Sequence, residues 1–543
     1  MKLNLKLTNN RLFKLAVFGV ISIGFFNSCD RDSQIQNDPL PEVDAQLTFT
    51  VDGIVDEVVI NSNDGKASAA HTSRSAASAD GIIESKDVSY EAFDAIVRLQ
   101  NDPIDPKSKR VSNGQSSKAS NAGSKAVAMA PRIKYRLLLY KDGALVNSVH
   151  AESGVATHVE VNKNIDYQWY AYSYNTEDFI PDVTSTTNPV VESSIDKPLL
   201  YASGTVRVTG TGYVDKPMLL QFGHRTSRIG AEISARGMFA GLESITATFA
   251  GTDYVKKGTL DLLTGQYIST TAVNVGNLNF KQLSPETKDT IKVVYYYTAA
   301  QTAIAPMKVN VSTFTVKLDK GSTRTFGTPI SYSMNMNNLA WGNRVTSALD
   351  LIESALTVQG VRWSRALLYF SYADKAYRFR HLIGVNDYPV SPEEYWDYKS
   401  PFPPGPLNTQ DPCTRVYPLN KWRMPTEAEA SDLVDLKGSS RQIYNDYIEY
   451  NATGTAAPYP SNKLRIIQRG FMTPIVNIVA DQGINAYFWT DDPGTFLGGL
   501  LGGVESYMFS DFRNVNPFIF DFVWMHGFQS TVGGLENVRC VRK

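Results

Sequence analysis

The side chains best placed to do chemistry in this chain are its cysteines, and there are only three in 543 residues: Cys29, Cys413 and Cys540. Cys29 follows a basic start (Lys2, Lys6, Arg11, Lys14), the apolar run Leu15 to Phe26 and then Asn27-Ser28. A charged segment before a short apolar run is an export signal, because the run is too short to cross a hydrocarbon layer of ~30 Å. The small Ser28 before Cys29 makes that thiol the expected acceptor of lipid, with residues 1–28 removed as a signal peptide. Acyl chains joined through a thioether and an amide at Cys29 would hold the protein firmly, since one chain alone binds marginally. Phe26 and Asn27 depart from the usual aliphatic-small pair, and a simple secretory signal is the alternative.

If Cys29 carries lipid, Cys413 and Cys540 remain as an even pair in an oxidising compartment, where a disulfide is expected. It would close a loop of about 127 residues, worth about 4 to 5 kcal/mol in the chain-entropy model. The alternative is two buried thiols. No Gly-x-Ser-x-Gly, His-Glu-x-x-His or P-loop occurs, so no enzyme and no cofactor is expected. Asp491-Asp492-Pro493 has hard oxygens that could meet calcium, but it is equally an ordinary turn, and no metal is assigned there. Tyr395-Trp396-Asp397-Tyr398 and Trp524-Met525-His526-Gly527-Phe528 cluster aromatic rings. Exposed, such rings would stack on sugars or meet a protein partner; buried, they are core. Tyr395, Trp396 and the loop at Asp491 become candidate ligand contacts only through the fold resemblance given below. Leu497 to Val504 reads as a glycine-rich surface loop.

The elements that must position these residues are mostly strands. The composition is 43% hydrophobic and 11% aromatic, with a formal net charge of −1 and six scattered histidines. Several cores are possible, and nothing carries the electrostatic footprint of nucleic-acid binding. Residues 29–44 are polar with Pro39 and Pro41 and read as a tether. Leu47 to Val51 alternates at period two, and Val55 to Ile60 is extended in character. Residues of about 61–130, rich in Ala, Ser, Lys and Asn, have too few large apolar side chains to offset ordering entropy and read as a loop, with Tyr90 to Leu99 as an ordered island. Strands resume at Tyr135 to Tyr140, turn at Asp142-Gly143, and continue through Tyr167 to Tyr174. A second set runs from Leu200 to about Ser333. The expected domains are therefore 45–199, 200–340 and 341–543. In the last of these, Thr426 and Glu429 form a capping box that starts a helix of about ten residues, with Ala430, Leu433 and Val434 on its apolar face.

Pro217 to Ile229, with His224 in the turn between two strands, and Gly258 to Gly265 resemble the fimbrillin family of lipoprotein pilins and pilus accessory subunits. His224 reads as a hydrogen-bonded sheet-edge or core group. Asp411-Pro412-Cys413, Trp422 to Glu429, Tyr487-Phe488-Trp489-Thr490 and the closing Asn537 to Lys543 resemble a different module, the FISUMP-type domain related to C-type-lectin-like folds. An insertion between Cys413 and Trp422, and Tyr-Phe-Trp-Thr for the usual Tyr-Trp-Ser-Ser, are departures from its pattern. The resemblances span about residues 45–543. They imply a mainly β protein of two tandem antiparallel β-sandwiches followed by an α+β lectin-like domain.

The fimbrillin resemblance further implies an outer-membrane-anchored, surface-exposed fimbrial subunit, with other fimbrial subunits, host or bacterial surface proteins or glycans as partners. Such pili are thought to assemble by strand exchange: an arginine-specific protease removes the first strand, and a neighbour's C-terminal strand fills the vacated groove by β-augmentation. Leu47 to Ile60 is then the strand to remove, with cleavage after Arg74, or else Arg98 or Arg110. A C-terminus fastened at Cys540 could accept a strand but not donate one, which points to a tip adhesin. The rival reading is a surface glycan-binding lipoprotein that never polymerises.

Overall fold

The structure is a computed structural model. It describes residues 43–55, 82–101 and 126–543, apart from 288, 338, 382–387, 404–409, 437–439, 455–462, 474–475, 492–504, 512–522 and 530–533. The chain is mainly β, as expected, with one α-helix among the described residues, at Glu427–Asp435. Its capping box is present: Thr426 accepts from the Glu429 backbone N–H while Glu429 reaches back to Thr426.

The first unit is one seven-stranded sheet, ordered Ala144–Glu152, Lys134–Lys141, Asp166–Ser173, Leu200–Arg207, Val214–His224, Ala45–Val55 and Thr157–Val161. Alternate residues of these strands, including Leu47, Phe49, Leu137, Trp169, Leu220 and Phe222, make a single core. Asp142 and Gly143 both have positive φ (49° and 78°), the backbone a tight hairpin needs, as the Asp-Gly pair predicts.

The second unit is a two-layer sandwich. One layer is ordered Lys281–Gln282, Ile291–Thr298, Ser227–Gly237, Arg344–Ile352, Asp94–Asn101 and Ile82–Ser89. The other places Ile304–Lys317 between Gly241–Phe249 and the strands Thr323–Phe326 and Ile330–Met336. Their facing side chains, among them Val97, Ile233, Val311 and Leu349, form the largest core.

Sheet membership cuts across the expected boundaries. Leu200–Arg207 and Val214–His224 complete the first sheet, while Ile82–Ser89, Asp94–Asn101 and Arg344–Ile352 belong to the second. The pairing is also not wholly antiparallel: Ala45–Val55 runs parallel to Val214–His224, and Ser227–Gly237 runs parallel to Arg344–Ile352. The C-terminal unit is built on short strands. Five of them, ordered Trp422–Arg423, Val541–Arg542, Val361–Trp363, Leu356–Val358 and Thr453–Gly454, join the chain's end to the Trp422 segment.

Candidate functional site

The N-terminal strand occupies a slot with a neighbour on each side. Ala45 to Phe49 pair with Val161 to Thr157 in antiparallel register and with Val214 to Met218 in parallel register, and Thr50 to Val55 continue along Leu219 to Gly223. Ala45, Leu47 and Phe49 are completely buried, and the Phe49 ring meets Trp169 edge-on at 5.9 Å. Burying side chains of the size of Leu and Phe stabilises by about 1.5–3 kcal/mol each. On the opposite face the strand is laced to both neighbours by polar side chains. Gln46 and Thr48 lie 2.8 and 3.1 Å from His158 Nδ1, and Thr48 donates to Asp215 at 2.5 Å. Near its end, Ile54 exchanges two backbone hydrogen bonds of 2.8 Å with Val127. Gly53 permits that approach, since a Cβ there would stand 2.5 Å from the Val127 carbonyl oxygen.

The other end of the chain is held from several directions. Cys413 and Cys540 are joined, with Cα atoms 5.8 Å apart. Asp411 caps the short turn at Pro412–Arg415, accepting from the Cys413 N–H, and also accepts from the Met424 N–H, both at 2.8 Å. Val541, fully buried, pairs with Trp363 and Arg423. Arg542 lies 3.5 Å from Asp94 of the second sandwich, and Lys543 donates its backbone N–H to Lys421. Arg539, also fully buried, donates to the carbonyls of Arg465 and Arg365 at 3.1 and 3.0 Å.

Several sequence expectations are corrected here. Tyr395 and Trp396 are not a ligand surface: both are at 0% exposure. The Tyr395 hydroxyl donates to the Arg469 carbonyl at 2.7 Å, and Trp396 stacks on Tyr377 while its carbonyl accepts from Trp489. Asp491 is partly exposed, but its Oδ1 is 2.7 Å from the Lys399 ammonium. Asp492 and Pro493 lie outside the described residues, and no group of three or more metal-ligating side chains occurs among the described ones. His224 is buried at the end of its strand, a core group as expected, and its Nε2 has no hydrogen-bond partner among the described residues. Burial first, then Arg344 and Arg228, pushes its pKa down to about 4. Arg98 is not an accessible processing site, because it sits mid-strand between two partners with its Nε 2.5 Å from buried Asp350. Cys29, Arg74 and Arg110 lie outside the described residues.

No family model matches the chain, and no curated protein does. Part of it is similar to several solved structures. The fimbrial anchor protein Mfa2 from Porphyromonas gingivalis is 11% identical over 35% of this chain and 73% of its own, with a TM-score of 0.21. A candidate polysaccharide-binding protein from Bacteroides thetaiotaomicron is 13% identical over 40% of this chain and 82% of its own, with a TM-score of 0.25. A candidate cell adhesion protein from Bacteroides ovatus is 15% identical over 42% and 91%, with a TM-score of 0.25.

A strand with a partner on both sides leaves two unpaired backbone ladders if it is withdrawn, and such ladders recapture an extended segment of matching register. One further feature has no local sequence signal. Between the second sandwich and the C-terminal unit lies a cleft of about 1020 Å³. Its walls come from segments as distant as Phe239 and Tyr417, so no spacing rule could assemble it.

Proposed function

We propose that this chain is an exported, lipid-anchored fimbrial protein that accepts a neighbour's strand and ends a pilus as its adhesive subunit. The observation that carries this reading is the two-sided pairing of Ala45–Val55, whose apolar face fills the first core at Leu47 and Phe49. Withdrawal of that strand opens a slot between Val214–His224 and Thr157–Val161, which another chain's strand can fill. Val541–Arg542 already sits in a sheet between Trp422–Arg423 and Val361–Trp363, which supports an acceptor rather than a donor role.

The pairing also ranks the processing sites. Cleavage after Arg74 frees Ala45–Val55 and leaves every strand of the second sandwich on the main chain. Cleavage after Arg110 would also cut away Ile82–Ser89 and Asp94–Asn101, two strands of that sandwich. Arg74 is therefore the site, and mature pilus-associated protein should begin at Ser75. N-terminal sequencing of protein that co-purifies with pili tests this, alongside an Arg74→Lys variant that should remain an unprocessed, lipidated monomer. A pilus-associated product still beginning at Cys29 would overturn the strand-exchange reading.

A further inference from the structure

We propose that the cleft between the second sandwich and the C-terminal unit binds a short, uncharged oligosaccharide. The proposal deepens the adhesive reading and rests on it. The sandwich contributes the turn after Ser227–Gly237, Thr287 with residues 289–292, and the end of Ile304–Lys317, and the C-terminal unit contributes Asp374, residues 376–378 and Tyr417.

The walls are fixed before any ligand arrives. Arg378 reaches across to Asp319 and to the Phe239 carbonyl, the latter at 3.0 Å. The His381 ring meets the Met238 carbonyl at 2.7 Å. Arg236 donates to the Tyr417 hydroxyl at 2.9 Å and stands 4.1 Å from the centre of its ring. A cleft held open by such ties costs a ligand little ordering. At about 1020 Å³ it lies at the upper end of the range for small-ligand sites, about 300–1,000 Å³. That leaves room for several sugar rings rather than one.

The lining selects the ligand class. Its carboxylates are Glu243, Asp289, Asp319 and Asp374, and its cations are Arg236, Lys292, Lys317 and Arg378. Charge in the lining therefore balances, which disfavours a polyanion and a polycation alike, since either would meet like charges. Hydroxyl groups both donate and accept, so a polyol is served by the acids and the bases together. Half-buried Phe239, Tyr377 and Tyr417 add apolar surface to the lining beside these polar groups.

Phe239 joins the two walls. It holds a φ of 55°, in the left-handed region where a bulky side chain is an outlier and glycine or asparagine would sit without strain. Its ring packs edge-on against Phe379 at 5.3 Å, which ties the two units together at the wall of the cleft.

The test uses the soluble full chain from residue 30 onward on an array of short neutral, acidic and sulfated oligosaccharides, with calorimetry on the hits. The expected result is binding of neutral members, about tenfold weaker in both Glu243→Gln and Asp289→Asn, the scale of one hydrogen bond to a charged group. Both side chains are on exposed residues, so the thermal midpoint should not change. Binding confined to acidic or sulfated members, binding of peptides but no sugar, neutral binding unaffected by either variant, or no binding at all would each overturn the proposal. Because this reads purified monomer, it can fail while pilus incorporation succeeds, and the reverse.

Discussion

Buried polar side chains set the sharpest expectations at the scale of single residues. His224 has a folded pKa of about 4 against an ordinary 6.5 because it is buried beside Arg344 and Arg228. Between those values the unfolded chain binds the proton and the folded one does not. Stability therefore rises with pH across that window and falls on acidification from about pH 6.5 to about pH 4, by about 3 kcal/mol in all. Denaturant unfolding of wild type and His224→Phe at several pH values checks it: the variant should lose this part of the slope. A second residue-scale expectation is that Phe49→Ala costs about 3–5 kcal/mol in the first sheet, as a large core truncation does. That Phe49 is core was legible from the alternation around it. That Tyr395 and Trp396 are core was not, because a cluster of rings has the same spelling whether it faces water or Trp489. Only the long-range closure of the chain's end over them decides.

For single elements, local pattern had most to say where an element's partner is nearby, and least where it is distant. The Glu427–Asp435 helix and the Asp142-Gly143 turn are specified by neighbours a few residues away, and both are present. The strand at Asp94–Asn101 was legible as an ordered island, but not its place: it pairs with Arg344–Ile352, across some 250 residues of chain. Alternation says that a strand has one buried face and is silent about which sheet it joins. The same limit applies to Ala45–Val55, whose parallel partner is Val214–His224. If that strand is replaceable, protein cleaved after Arg74 should unfold at a lower temperature. A peptide of residues 45–55 should restore the midpoint, and the same peptide with Leu47→Ser and Phe49→Ser should not, as calorimetric scans would show. At the other end, replacing Cys413 and Cys540 with alanine releases a loop spanning 127 residues. The cost should be about 4 to 5 kcal/mol in equilibrium unfolding.

Across the whole molecule, the C-terminal unit is less an appended module than the sequence implied. Asp94 of the sandwich meets Arg362 at 2.6 Å and Arg542 at 3.5 Å, and Asp87 meets Lys421 at 2.7 Å. Asp319, with Arg378 and His381, closes the far side of the seam. Burial opposes the charge on Asp319, but the His381 hydrogen bond and the Arg378 and His381 charges outweigh it and hold its pKa below the ordinary carboxylate range. That tie is present above the unfolded pKa and is lost only as pH falls through the lower folded value, so mild acid should leave the Asp319 tie intact.

Separating the two units consequently depends on where the chain is cut. A break at residue 340, where composition changes, would take Arg344–Ile352 away with the C-terminal unit. That strand lies inside the sandwich sheet, paired along one edge with Ser227–Gly237 and along the other with Asp94–Asn101, and it buries Val345, Leu349 and Leu351 in the largest core. Without it, two strands face an empty position and the core loses three aliphatic side chains, at about 1.5–3 kcal/mol each. A fragment ending at residue 340 should therefore be insoluble or bind a hydrophobic dye. One ending at Glu353 should give a cooperative thermal transition. If both fold equally well, the sheet does not depend on its central strand, and the two-layer account of the second unit fails.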